Sequence, residues 1–218
     1  MLSFYLLRYR VTVHPSFWLM GALLGLGTLE GPKGHPVKLM LWILIMFLSI
    51  LWHELGHAIA FRRCRMESEI VLYSMGGYAA PLAPGHLTRN QDIFVSLAGP
   101  LMQLAVGIPL YLVSRWGYFD SFLVGREFAH DALVMVIWIN IFWALVNLLP
   151  VLPLDGGRIS RALCGPRNLR TALWISVIAG AAAAVGMLML GMPYGGLFFG
   201  LLAFNNWQQL NGTGSSDR

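Results

Sequence analysis

The sequence predicts an all-α integral membrane protein of about six transmembrane helices, with a three-helix core and a short re-entrant β-like segment. Three observations carry that prediction. Of 218 residues, 57% are hydrophobic and only 11% charged, whereas a soluble domain carries about 25% charged residues. The apolar residues fall in long, almost charge-free runs rather than amphipathic stripes. The basic residues gather in short segments beside those runs, as the positive-inside rule expects. The net charge of +5 therefore reads as membrane topology and not as nucleic-acid binding.

A spanning helix needs roughly 20 mostly apolar residues. The first such run covers about residues 11–29. Arg8 and Arg10 precede it and no small-residue cleavage site follows, so it reads as a retained anchor. A polar loop leads to the second run, about 39–61, which closes on Arg62, Arg63 and Arg65. Residues 66–91 are too short and broken to span. Ile70-Val71-Leu72-Tyr73 is strand-like and Gly76-Gly77 is a turn signal, which suggests a re-entrant or interfacial hairpin. Such a segment is tolerated at membrane depth only where protein or water satisfies its backbone.

The third run, about 93–113, is interrupted by Gly99-Pro100. The fourth, about 132–149, runs into Pro150-Val151-Leu152-Pro153-Leu154-Asp155-Gly156-Gly157, where a helix must break or bend. Two last runs cover about 171–190 and 194–210. Residues 1–210 thus read as a single polytopic membrane domain with its core at about 39–163, and 211–218 as a disordered polar tail. With six spans and an internal N-terminus, eleven of the fifteen Lys and Arg residues fall on the cytoplasmic side. That asymmetry places both termini in the cytoplasm of a multi-pass plasma (inner) membrane protein. Cys64 and Cys164 then lie in a reducing compartment and form neither a disulfide framework nor a zinc cluster.

The second run contains His53-Glu54-Leu55-Gly56-His57. On a helix this spacing puts two imidazoles on one face, where both reach one zinc ion, with an acid beside the metal to take a proton from water. Ionisable groups inside a bilayer cost about 2.5 kcal/mol or more and mark function. A salt bridge would be the bland explanation of Glu54, yet no Lys or Arg lies deep in any span. Catalytic zinc takes three protein ligands and keeps one position open. The other histidines and the remaining acids sit at span ends or in loops, which leaves Asp155 as third ligand. Asp-Gly-Gly could be a simple turn, but Asp155 lies a few residues before Arg158, at a depth similar to that of His53. His53 itself is nine residues, about 13 Å, from Arg62.

With both segments in view, the chain resembles the site-2 protease family of intramembrane metalloproteases. The resemblance rests on His53-Glu54-x-x-His57 in a span together with Asn147-x-x-Pro150-x-x-Pro153-Leu154-Asp155-Gly156-Gly157. Val13-His14-Pro15-Ser16-Phe17 and Ala98-Gly99-Pro100 are also similar to family members. It implies a compact form without PDZ or CBS domain, with a three-helix catalytic core formed by the second to fourth spans. His53, His57 and Asp155 would hold one zinc ion per chain, and Glu54 would be the general base. It further implies that Asn147 helps hold substrate or the oxyanion, and that the Gly76-Gly77 stretch pairs with an extended substrate. Gln103 stands where many relatives carry Asn after the Gly-Pro, as a further substrate-side amide. The partners implied are the lipid bilayer and a membrane-spanning protein or peptide, such as an anti-sigma factor, a transcription-factor precursor or a signal-peptide remnant. A transporter would instead show polar residues along a path through several spans, and inverted repeats.

Overall fold

The computed structural model describes residues 1–30, 34–83 and 85–213. Part of the loop after the first apolar run (31–33) and the end of the expected tail (214–218) lie outside the described residues. The chain divides into two compact units, residues 1–86 with 98–144 and residues 87–97 with 145–218.

The first unit opens with two strands, β1 (Leu2–Leu6) and β2 (Tyr9–Val13). They pair antiparallel, and β2 then pairs in parallel with β3 (Ser68–Tyr73), which pairs antiparallel with β4 (Gly76–Pro81). The sheet order is β1-β2-β3-β4. A parallel pair needs a long crossover, and here two helices supply it: α1 (Pro15–Leu24) and α2 (Pro36–Arg63). Val11, Val13, Ile70 and Leu72, at alternate positions of the two central strands, join one buried cluster. Phe17 of α1 and a stripe of α2 from Ile45 to Ala58 complete it, with Ile139 from α5 (Glu127–Asn147). The remaining long helix of this unit is the greater part of α3 (Arg89–Arg115), followed by the short α4 (Asp120–Leu123).

Among the described residues, four helices are long and apolar enough to cross a membrane: Pro36–Arg63, Arg89–Arg115, Glu127–Asn147 and Pro166–Met189. They match the second to fifth expected spans. Half of the apolar window of α2 is buried against 17% of that of α5, so α2 is the central helix of its unit and α5 turns most of its surface outward. The first expected span differs. β2 takes its opening residues, and α1 has ten residues, or about 15 Å, half the thickness of a bilayer core. It lies along the first half of α2, where Trp42 Nε1 donates to the Gly21 carbonyl at 3.2 Å. The third span is not interrupted: α3 runs through Gly99-Pro100 and Pro109, as apolar-phase helices can when neighbours compensate the missing donor.

The second unit holds α6 (Asp155–Cys164), α7 (Leu169–Met189) and α8 (Pro193–Thr213). The sixth expected span does form a helix. Asn205, Asn206, Gln208 and Gln209 make its second half polar, and it is not among the four bilayer-length apolar helices. It also continues through residues 211–213, the start of the expected tail.

Candidate metal centre

The spacing of the motif becomes geometry on α2. His53 and His57 lie one turn apart on an uninterrupted helix with Glu54 between them, and all three are 4% exposed. The two rings meet edge to face with centroids 4.7 Å apart. Their Nε2 atoms face each other at 3.0 Å, close to the ~3.3 Å expected of two tetrahedral ligands held at 2.0–2.1 Å from zinc.

Two glycines bring neighbouring backbone onto this face. A Cβ on Gly99 would lie 2.7 Å from His53 Nε2 and would overlap the His57 ring, so only a glycine lets α3 close over the pair. Opposite it, a Cβ on Gly56 would lie 2.6 Å from the Ala98 carbonyl oxygen. The small residues allow the two backbones their close approach, a packing mode typical of membrane helices. Gln103, one turn further along α3, is wholly buried and faces His53 Nδ1 through its Oε1 at 2.9 Å. Its amide nitrogen donates to the Ser49 carbonyl at 3.3 Å.

The edge strand β4 covers Glu54. A Cβ on Gly77 would lie 2.7 Å from Glu54 Cγ and 2.9 Å from its Oε1, so this strand rests on the carboxylate. Gly76 acts differently. Its φ of +117° makes the turn out of β3, and open space surrounds it. Tyr73 and Tyr78 stack edge to face across the same hairpin, centroids 5.6 Å apart.

In the second unit, α5 ends at Asn147, which is half-buried, and the chain turns over residues 148–154 before α6 begins. Asp155 is the first residue of α6 and 7% exposed. A carboxylate there is stabilised by the free N–H groups and positive end of the helix. The turn is held by residues far away in sequence. Ser176 Oγ of α7 accepts from the Leu152 N–H at 3.1 Å, and Asn206 Nδ2 of α8 donates to the Leu152 carbonyl at 2.8 Å. Gly156 and Gly157 let the first turn of α6 lie directly on this segment: added Cβ atoms would collide with the Leu148 and Val151 backbone. Arg158 pairs with Asp92 at 3.0 Å. A single polar residue in an apolar run was the only sequence signal for Ser176, Asn206 stood in a polar stretch, and neither lay near a motif.

Among the described residues, His53, His57 and Asp155, all buried, make up a group that could hold a metal ion. Two imidazoles and one carboxylate are a known donor set of catalytic zinc.

Peptidase family M50 matches the chain over residues 41–129 and 123–190. The chain belongs to that family. It is 29% identical to the zinc metalloprotease MJ0392 of Methanocaldococcus jannaschii over 151 residues, 68% of this chain and 42% of that protein. It is 28% identical to the stage IV sporulation protein FB of Bacillus subtilis over 184 residues, 78% of this chain and 56% of that one. The chain therefore spans about half the length of these curated relatives. In fold it is similar to the site-2 protease from M. jannaschii, with a TM-score of 0.61 over 96% of this chain and 94% of that one, at 22% identity. Four apolar helices of bilayer length and membership of M50 make this an integral membrane protein, and its likeness to the site-2 protease is one of fold.

Proposed function

We propose that this chain is an intramembrane zinc protease that hydrolyses peptide bonds within or next to transmembrane segments of membrane-anchored substrates. The observation that carries this reading is the buried His53–Glu54–His57 face on a helix of bilayer length, with both Nε2 atoms converging. His53 and His57 supply two ligands to one zinc ion and Asp155 the third.

Bound zinc would polarise the scissile carbonyl and bring the pKa of water down to about 7. Glu54, adjacent in sequence to one ligand, accepts a proton from the attacking water and passes it to the leaving amine. Gly77 leaves the carboxylate room beside β4, and this edge strand offers unpaired backbone groups to an extended substrate. Asn147 is assigned to substrate or oxyanion contact on family resemblance. Gln103 is less suited to substrate contact, because its buried amide already bonds His53 and Ser49.

Glu54 lies nine residues from Arg63, or about 13 Å along α2. The hairpin that touches it thus reaches well inside the bilayer, which supports the re-entrant reading. The arginine asymmetry supports cytoplasmic termini and six membrane-embedded helical segments, with α1 and α8 as the least regular. Substrates of the expected kind are membrane-anchored regulators or signal-peptide remnants. Glu54→Gln, co-expressed with a candidate membrane substrate, is expected to stop cleavage while the protein still inserts. Undiminished cleavage would remove Glu54 from the mechanism.

A further inference from the structure

We propose that Gln103 is a positioning residue that holds His53 in its Nδ1-protonated tautomer, leaving the Nε2 lone pair for the metal. The proposal rests on the metal-site reading above. The hydrogen-bond chemistry leaves little freedom. The Ser49 carbonyl can only accept, so the Gln103 group facing it at 3.3 Å is the NH2. The amide oxygen is then the atom 2.9 Å from His53 Nδ1. That oxygen can only accept, so Nδ1 carries the hydrogen, and a neutral ring protonated there has its lone pair on Nε2. Nε2 is the atom that faces His57.

The orienting residue is itself held. Asn140 Nδ2 of α5 donates to Ser49 Oγ at 2.9 Å and to the Val136 carbonyl at 2.9 Å. Ser49 stands one turn before His53 on α2, so amides from α3 and α5 meet on the turn that precedes the ligand. Gln103, Asn140 and Ser49 are 0%, 3% and 5% exposed. Polar groups this deep in an apolar bundle cost stability unless bonded, and a leucine would fill the Gln103 position at less cost. What the amide adds is a fixed acceptor behind a metal ligand. Such outer partners set ring orientation and tautomer, and their loss lowers metal affinity roughly 10–100-fold.

The test uses the full-length protein in detergent, labelled with 15N-histidine and freed of metal, with ring signals assigned by single-histidine substitutions. His53 in the unsubstituted protein is expected to show a protonated Nδ1. Gln103→Glu keeps an acceptor and should preserve that signature. Gln103→Leu should lose it, and in chelator competition should bind zinc about 10–100-fold more weakly. A protonated Nε2 in the unsubstituted protein overturns the proposal, as does a folded Gln103→Leu that binds zinc as tightly as its parent. Should Gln103→Leu not fold, the unsubstituted protein and Gln103→Glu decide the matter alone. If the unsubstituted protein bound no zinc, the metal-site reading would fall, a result separate from the tautomer.

Discussion

The two units present their candidate metal ligands in opposite ways. In the first, an unbroken 28-residue helix carries His53 and His57, and their alignment follows from helical periodicity alone. In the second, Asp155 stands where one helix has stopped and another begins, and its position depends on a turn clamped by Ser176 and Asn206 from two other helices. The first arrangement takes its spacing from one helix, and from elsewhere in the chain α3 packs over it. The second is assembled from distant parts, so it is sensitive to substitutions that touch neither substrate nor metal.

The largest effects should come from the proposed ligands themselves. His57→Ala and Asp155→Ala are each expected to lose bound zinc and all proteolysis, measured by elemental analysis and cleavage in proteoliposomes. Retention of zinc by Asp155→Ala would confine the metal to the first unit. Gly99→Ala comes next. Its methyl would occupy the space of both Nε2 atoms, so zinc content should fall severely while the rest of α3, exposed at many positions, allows insertion. Normal zinc content would show that α3 can move away from the rings.

Smaller effects test the clamp. Ser176→Ala leaves the Leu152 N–H without its acceptor and should cost about 1–3 kcal/mol, read as a lower midpoint of thermal unfolding in detergent. A similar loss of activity from the folded variant would show that the turn, not the carboxylate alone, sets the second unit's contribution. The smallest change is Lys38→Met. It removes a 2.8 Å ion pair to Asp131 between the first turns of α2 and α5, worth about 0–1 kcal/mol at a partly exposed site. Unchanged zinc binding is expected there.

How legible each feature was in the sequence follows the same division. Charge-free runs of bilayer length identified the four long helices, because lipid demands continuous apolar surface whatever the tertiary contacts. The i, i+4 spacing of His53 and His57, the β3–β4 hairpin and a helix break before Asp155 were legible for equally local reasons. β1 and β2 were not. Val11 and Val13 merged with the apolar run behind them, and only pairing with β3, across about sixty residues, reveals them as strands. The truncated α1 was hidden by the same merger. Ser49, Gln103, Asn140 and Ser176 look alike in sequence, as isolated polar residues in apolar runs, while Asn206 sits in a polar stretch. Their meaning lies in partners 24 to 91 positions away, which no local pattern reveals.

The central claim is that α2 supplies two of the metal ligands and the proton acceptor of a peptide-bond hydrolysis. It is tested most directly by measuring zinc content and cleavage on the same proteoliposome preparation, for the unsubstituted chain and for Glu54→Gln. The prediction is one zinc per chain in both, with cleavage by the unsubstituted chain alone, abolished by a chelator and restored by zinc. Cleavage by Glu54→Gln, or by a chain free of zinc, would contradict it.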